Sequence, residues 1–122
     1  LARYLDQIEA TLKREITGLY KQAFGKGPDD TSVRIFEHVI LIKLEGALSQ
    51  LEESLMSSVV GEEIVRKIRD ELILEQTSVY VPQVEKIVNA KVEKVNYTMS
   101  KNNKTMYLFL LCERSIEEDH RR

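Results

Sequence analysis

The sequence predicts an α+β domain with the element order α-β-β-α-α-β-β, in which a four-stranded, mainly antiparallel sheet packs with helices and the third helix is long and kinked. Three observations carry that prediction. Residues 1–19 repeat apolar side chains at helical spacing, and residues 62–89 return to the same period. Between and after them, 33–44 and 92–112 each hold a pair of short apolar or alternating runs split by turn residues. At 122 residues the chain has the size of one domain, read as 1–112 with a charged C-terminal tail at 113–122. The tail holds one apolar side chain, Ile116, and is expected to lie exposed.

Leu1, Leu5, Ile8, Leu12, Ile16 and Leu19 fall at steps of three and four, one stripe of a helix. Asp6, Glu9, Lys13, Arg14 and Glu15 give the other face mixed charge, whereas a membrane-surface helix carries mostly Lys and Arg there. The stripe is therefore expected to pack on the protein's own sheet. Gly25 caps this helix and Pro28 prevents its resumption.

Strand one is expected at 33–36 and strand two at 39–44. Glu37 and His38 are poor residues for a two-residue hairpin, which favours Gly or Asn, so a wider turn with the register off by one is expected. Ile40, Ile42 and Leu44 share one face of strand two, and Val39, Leu41 and Lys43 share the other. Gly46 ends the strand. Ser49 and Glu52 then fit a capping box for a short helix with Leu51, Leu55 and Met56 turned inward.

A break is expected at 59–61, followed by a long helix that buries Val65, Ile68, Leu72, Val79, Tyr80, Val84, Ile87 and Val88. Pro82 removes the bond to the Ser78 carbonyl and should kink it, unless two helices meet near 77–81. The helix is expected to end near Asn89. Strand three covers Val92–Met99, with Val95, Tyr97 and Met99 on one face, and 100–103 supply a turn. Strand four, Thr105–Cys112, is apolar at nearly every position and so needs cover on both faces. Helices on both sides would supply it, or a second copy of the chain.

Composition excludes several classes. A net charge of −2 gives no global attraction to nucleic acid or anionic lipid. Cys112 has no internal disulfide partner, which fits a reducing compartment, and its apolar run predicts a buried thiol. The longest apolar runs, 39–42 and 106–112, fall far short of the ~20 residues that span a bilayer. With no signal-peptide centre either, the expected location is the cytoplasm, without direct membrane insertion. The start at Leu1, without methionine, reads as trimmed or processed.

No catalytic, cofactor-binding or metal-binding residue is assigned. Gly25-Lys26-Gly27-Pro28 is not a phosphate loop, since Pro28 leads into a strand and not a helix. Its glycines serve backbone geometry, or else a small anion nest helped by Lys26. His38 has no second ligand at metal spacing, and His120 lies in the tail. Glu45, Glu52 and Glu53 offer paired carboxylates, although the cap already uses Glu52. Arg66 and Arg69 lie three apart and can clamp an anion or pair with Glu62, Glu63 or Asp70. Lys26, Gly27, Arg66 and Arg69 are thus the candidate anion or interaction residues. Lys91, Lys94, Lys101 and Lys104 gather near Tyr97 and Tyr107, but no RNA-binding motif accompanies them and nucleic acid is not an expected partner.

Gly25-Lys26-Gly27-Pro28, Val33-Arg34-Ile35, Leu44-Glu45-Gly46 with Leu48, and Ser49 with Glu52 form a pattern. With Val65-Arg66 and Arg69 on the long helix and Lys91-Val92 at the next strand, it resembles the MpsC-like domain of bacteria over roughly residues 5 to 112. Gly25, Gly27, Pro28, Glu45, Gly46 and Glu52 carry the motif. The resemblance implies a link to cation-translocating, membrane-potential-generating systems that are also connected with inorganic-carbon uptake. It brings no catalytic residues with it. The leading expectation is a non-enzymatic interaction or accessory module, a homo-oligomer with a dimer favoured and a membrane protein as partner. The alternative is an anion sensor or enzyme built from Lys26, His38, Arg66 and Arg69.

Overall fold

The computed structural model describes residues 2–100 and 104–119. Helix α1 (Ala2–Phe24) leads to strands β1 (Asp30–Phe36) and β2 (Val39–Glu45), then to α2 (Gln50–Leu55) and α3 (Val59–Val88). Strands β3 (Val92–Met99) and β4 (Thr105–Cys112) follow, and a short α4 (Ile116–Asp119) ends the described chain. The strands form one sheet in the order β1-β2-β4-β3, antiparallel at each pairing. The predicted order thus holds, with α4 added. Leu1, Lys101, most of the second turn and His120 lie outside the described residues.

The core sits on one face of the sheet. Leu12, Ile16 and Tyr20 of α1 and Ile73, Tyr80, Val84 and Val88 of α3 meet Val33, Ile35, Ile40, Ile42, Leu44, Met106, Leu108 and Leu110 there. The register explains why those strand residues act together: Val33, Ile42 and Leu108 are cross-strand neighbours, as are Ile35, Ile40 and Leu110. Alternation in β1 and β2 therefore sets one apolar surface that both long helices cover.

Of the two ways to cover β4, helices on both faces are not what the structure shows. Met106, Leu108, Leu110 and Cys112 are buried, while Phe109 and Leu111 keep 39% and 40% of their surface open. α1 and α3 share the inner face, and the outer face of β4 stays open in the single chain.

The first hairpin keeps the expected strand ends at 36 and 39 but not the wider turn. Phe36 pairs with Val39 in register, so Glu37 and His38 alone make the turn. Glu37 takes a left-handed φ of 52°. Tertiary bonds hold this unfavoured turn: Ile116 N–H donates to the Glu37 carbonyl at 2.8 Å and Cys112 N–H to the His38 carbonyl at 2.7 Å. The tail is thus not an exposed extension throughout, because α4 returns Ile116 to the core at 0% exposure.

Two helical faces are corrected as well. Leu51 points outward at 71% exposure, and the short helix buries Glu52 in its place. α3 begins at Val59, capped by Ser58, so the break falls at 56–58 and not at 59–61. Its inward row is Gly61, Val65, Arg69, Ile73, Tyr80, Val84 and Val88, with Ile68 and Val79 exposed. Pro82 lies inside one continuous helix, which ends at Asn89 in the left-handed conformation.

Gly61 is where the first turn of α3 meets the end of α2. A Cβ there would stand 1.9 Å from the Leu55 carbonyl oxygen and 2.8 Å from its carbon, both backbone atoms that cannot swing aside. Gly61→Ala is expected to lose about 1–3 kcal/mol by overpacking. Gly18, on the exposed face of α1 with nothing near its Cβ position, should gain roughly 0.5–1 kcal/mol as alanine. Urea unfolding of the two variants checks the opposite signs.

Candidate functional site

Two features stand out as places where function could reside: a buried polar junction and the open sheet face. The junction is built on Arg69, which the step-of-four row of α3 carries into the interior at 1% exposure. α2 supplies its counterion. The capping box turns Glu52 inward, its carboxylate accepting from Ser49 N–H at 3.0 Å while Glu52 N–H donates to Ser49 Oγ at 3.2 Å. Arg69 then binds the same carboxylate through two bonds, Nε to Oε2 at 2.6 Å and Nη2 to Oε1 at 2.5 Å.

α1 and the β2–α2 loop complete the enclosure. Arg69 Nη1 donates to the Tyr20 hydroxyl at 2.6 Å and Nη2 to the Ala47 carbonyl at 2.8 Å. Tyr20 donates in turn to that same carbonyl. The guanidinium carbon lies 4.2 Å from the Phe24 ring centroid, and Phe24 stacks on Tyr20 at 4.4 Å. Burial opposes ionisation of Glu52, but hydrogen bonds from Arg69 and Ser49 and the charge of Arg69 outweigh it and hold the carboxyl below its ordinary value. Burial likewise opposes the charge on Arg69, which the Glu52 and Tyr20 bonds more than restore. The arrangement is a neutralised internal pair that ties α1, the β2–α2 loop, α2 and α3 together.

The motif glycines serve the neighbouring turns. The antiparallel pairing Asp30 with Glu45 brings the turn into β1 beside the turn out of β2. Asp29 N–H donates to the Glu45 carbonyl at 2.8 Å and Gly46 N–H to the Lys104 carbonyl at 2.8 Å. Gly46 has φ +62°, and a Cβ on it would meet Asp29 Cβ at 2.9 Å, so these two turns fit only with glycine at 46. Gly25 ends α1 by donating to the Lys21 carbonyl at 2.8 Å, and Gly27 and Pro28 follow, both half-buried. Glu45 pairs with Lys43 at 2.8 Å.

The candidate anion residues stand in different surroundings, with Arg66 and Arg69 bordering one cleft beside Asp70 and Tyr97. Lys26 is exposed, its Nζ 4.0 Å from Asp29 Oδ1. Arg66, exposed, pairs with Glu62 at 2.8 Å, whereas Arg69 is buried on Glu52. His38 lies in the turn at the far end of β1, seven strand residues or about 23 Å from the Lys26 end. The tyrosines of the second hairpin also separate. Tyr97 bonds Asp70 on the helix side, while Tyr107 faces outward beside Thr98. Cys112 is buried, and that burial pushes its thiol pKa up.

The outer sheet face keeps apolar surface in water, as the helical layer does at Leu51, Val59, Val60 and Leu74. Register places Phe36, Val39, Leu111 and Lys94 in one row across the four strands, and Arg34, Leu41, Phe109 and Asn96 in the next. Phe36 is 69% exposed, and Val39 and Leu41 are half-buried. Sequence reading found the apolar excess of β4 but missed the Arg69–Glu52 pair. The step of four from Gly61 through Val65 and Arg69 to Ile73 was the available signal.

These features define a two-layer α+β domain whose motif residues hold its own packing and whose sheet is uncovered on one side. The chain belongs to the family described as Na+-translocating membrane potential-generating system (MpsC), whose model matches residues 5–113. Comparison with curated proteins and with solved structures finds no match. No helix among the described residues is long and apolar enough to cross a membrane.

Proposed function

We propose that this chain is a non-enzymatic interaction module, an accessory or regulatory part of a membrane system that moves cations and generates membrane potential. The observation that carries the reading is the open outer face of the sheet, where Phe36, Phe109 and Leu111 remain in water. Apolar surface of that kind, contiguous and rimmed by polar residues, marks contact with another macromolecule. The family description supplies the system. In this reading the chain works from the cytoplasmic side and reaches the membrane through a protein partner, not by inserting a helix of its own.

Affinity capture of the tagged full chain from native membranes and cytosol tests the reading. Subunits of a cation-translocating membrane complex are expected to be retained and identified by mass spectrometry. Retention of cytosolic proteins alone would contradict it.

A further inference from the structure

We infer that the outer sheet face binds a second copy of this chain, giving a dimer in which the two sheets lie face to face between outer helical layers. The inference rests on the interaction-module reading and names the occupant of its surface. The register carries it, because the face is complementary to itself under one particular symmetry. A two-fold axis between the sheets and parallel to the strands lays β1 over the partner's β3 and β2 over the partner's β4, keeping each row over itself. Val39 then faces a second Leu111, and Leu41 faces a second Phe109.

The charged members of the same rows also fall well. Lys94 lies over a second Phe36, where its stem and ammonium meet an aromatic ring, and Arg34 lies over a second Asn96. Lys43 faces a second Tyr107, and Glu45 a second Thr105. No like charges oppose each other within these rows. A perpendicular axis at mid-strand, the placement that overlaps the two sheets fully, would instead press the Phe36–Val39–Leu111 row against Asp30 and Glu45, burying carboxylates on apolar surface. The β3 edge is a poorer contact, since the bulge between Val92 and Lys94 blunts edge pairing.

Area sets the strength. Four strands of seven or eight residues present a footprint of about 19 Å by about 23 Å, below the standard interface size and in the range of weak, transient contacts before side-chain relief is counted. The dimer is therefore expected to be reversible and concentration-dependent.

Sedimentation equilibrium of the full chain across a dilution series tests this. The wild type should move from 14.1 kDa towards twice that mass as concentration rises. Phe109→Lys with Leu111→Lys should weaken association at least about tenfold while the circular dichroism spectrum and the melt stay folded. Should that pair fail to fold, Phe36→Lys, at the most exposed of the apolar positions on this face, gives the same readout. A wild type that stays at 14.1 kDa up to its solubility limit overturns the dimer, as does a folded face variant that associates as strongly as wild type. A monomer that still captures the membrane complex would leave the interaction reading in place, so the two failures are separable.

Discussion

Replacing Arg69 by alanine is expected to cost the fold about 3–5 kcal/mol, because it leaves the Glu52 carboxylate buried without its counterion. The loss is a large share of the roughly 5–15 kcal/mol that holds a domain together, and the melting point should fall by more than about 10 °C. Tyr20, the Ala47 carbonyl and the Phe24 ring lose their shared partner in the same step, so α1, α2 and α3 loosen together. Glu52 also gives the wild type an acid dependence whose sign is fixed. Its carboxyl is held below the ordinary value, so its stabilisation is complete above the normal carboxylate range and is lost as pH falls through the folded value. Arg69→Ala should flatten that part of the profile. Urea midpoints of both proteins from neutral pH downward check both statements, and an Arg69→Ala melting point equal to that of wild type would refute the junction's role.

Leu110→Asp should prevent folding outright, while Phe109→Asp one position earlier should leave a folded protein. Leu110 is at 0% exposure between Ile40 and Val95 in one of the two inner strands of the sheet. Deleting such a side chain costs about 2–5 kcal/mol by itself, and a buried carboxylate adds several more, together enough to exceed the stability of a domain this size. Phe109 points to the uncovered face, where an aspartate stays in water. Far-ultraviolet circular dichroism and solubility of the two variants read the contrast directly. A folded Leu110→Asp protein would mean that the inner and outer faces of β4 have been assigned the wrong way round.

The elements were legible wherever one period dominated. The α1 stripe from Leu5 to Leu19, the alternation of Ile40, Ile42 and Leu44, and the capping box at Ser49 each follow from local rules, and each stands in the structure. Legibility failed where tertiary partners overrode local preference. Glu37 is a poor turn residue until Cys112 and Ile116 are seen to bond this turn from elsewhere. Ile68 outranks Arg69 on apolarity alone, yet Arg69 is the inward residue because Glu52 waits for it 17 positions away. Leu51 yields its place to Glu52 for the same reason. Of the candidate site, the sequence disclosed the residue types and the apolar excess of β4. It could not disclose that Arg69 turns inward onto Glu52 and Tyr20 while Arg66, three residues earlier, stays on the surface, since that depends on how α1, α2 and α3 pack.

The central claim is that the polar motif serves the fold and the outer sheet face serves the function. Hydroxyl-radical footprinting of the full chain over a range of concentrations tests it most directly. Phe36, Phe109 and Leu111 should grow protected as concentration rises, while Leu51, Val59 and Leu74, exposed on the helical layer, stay reactive throughout. Reactivity of the three sheet residues that never falls below what their exposure in the single chain dictates would contradict the account.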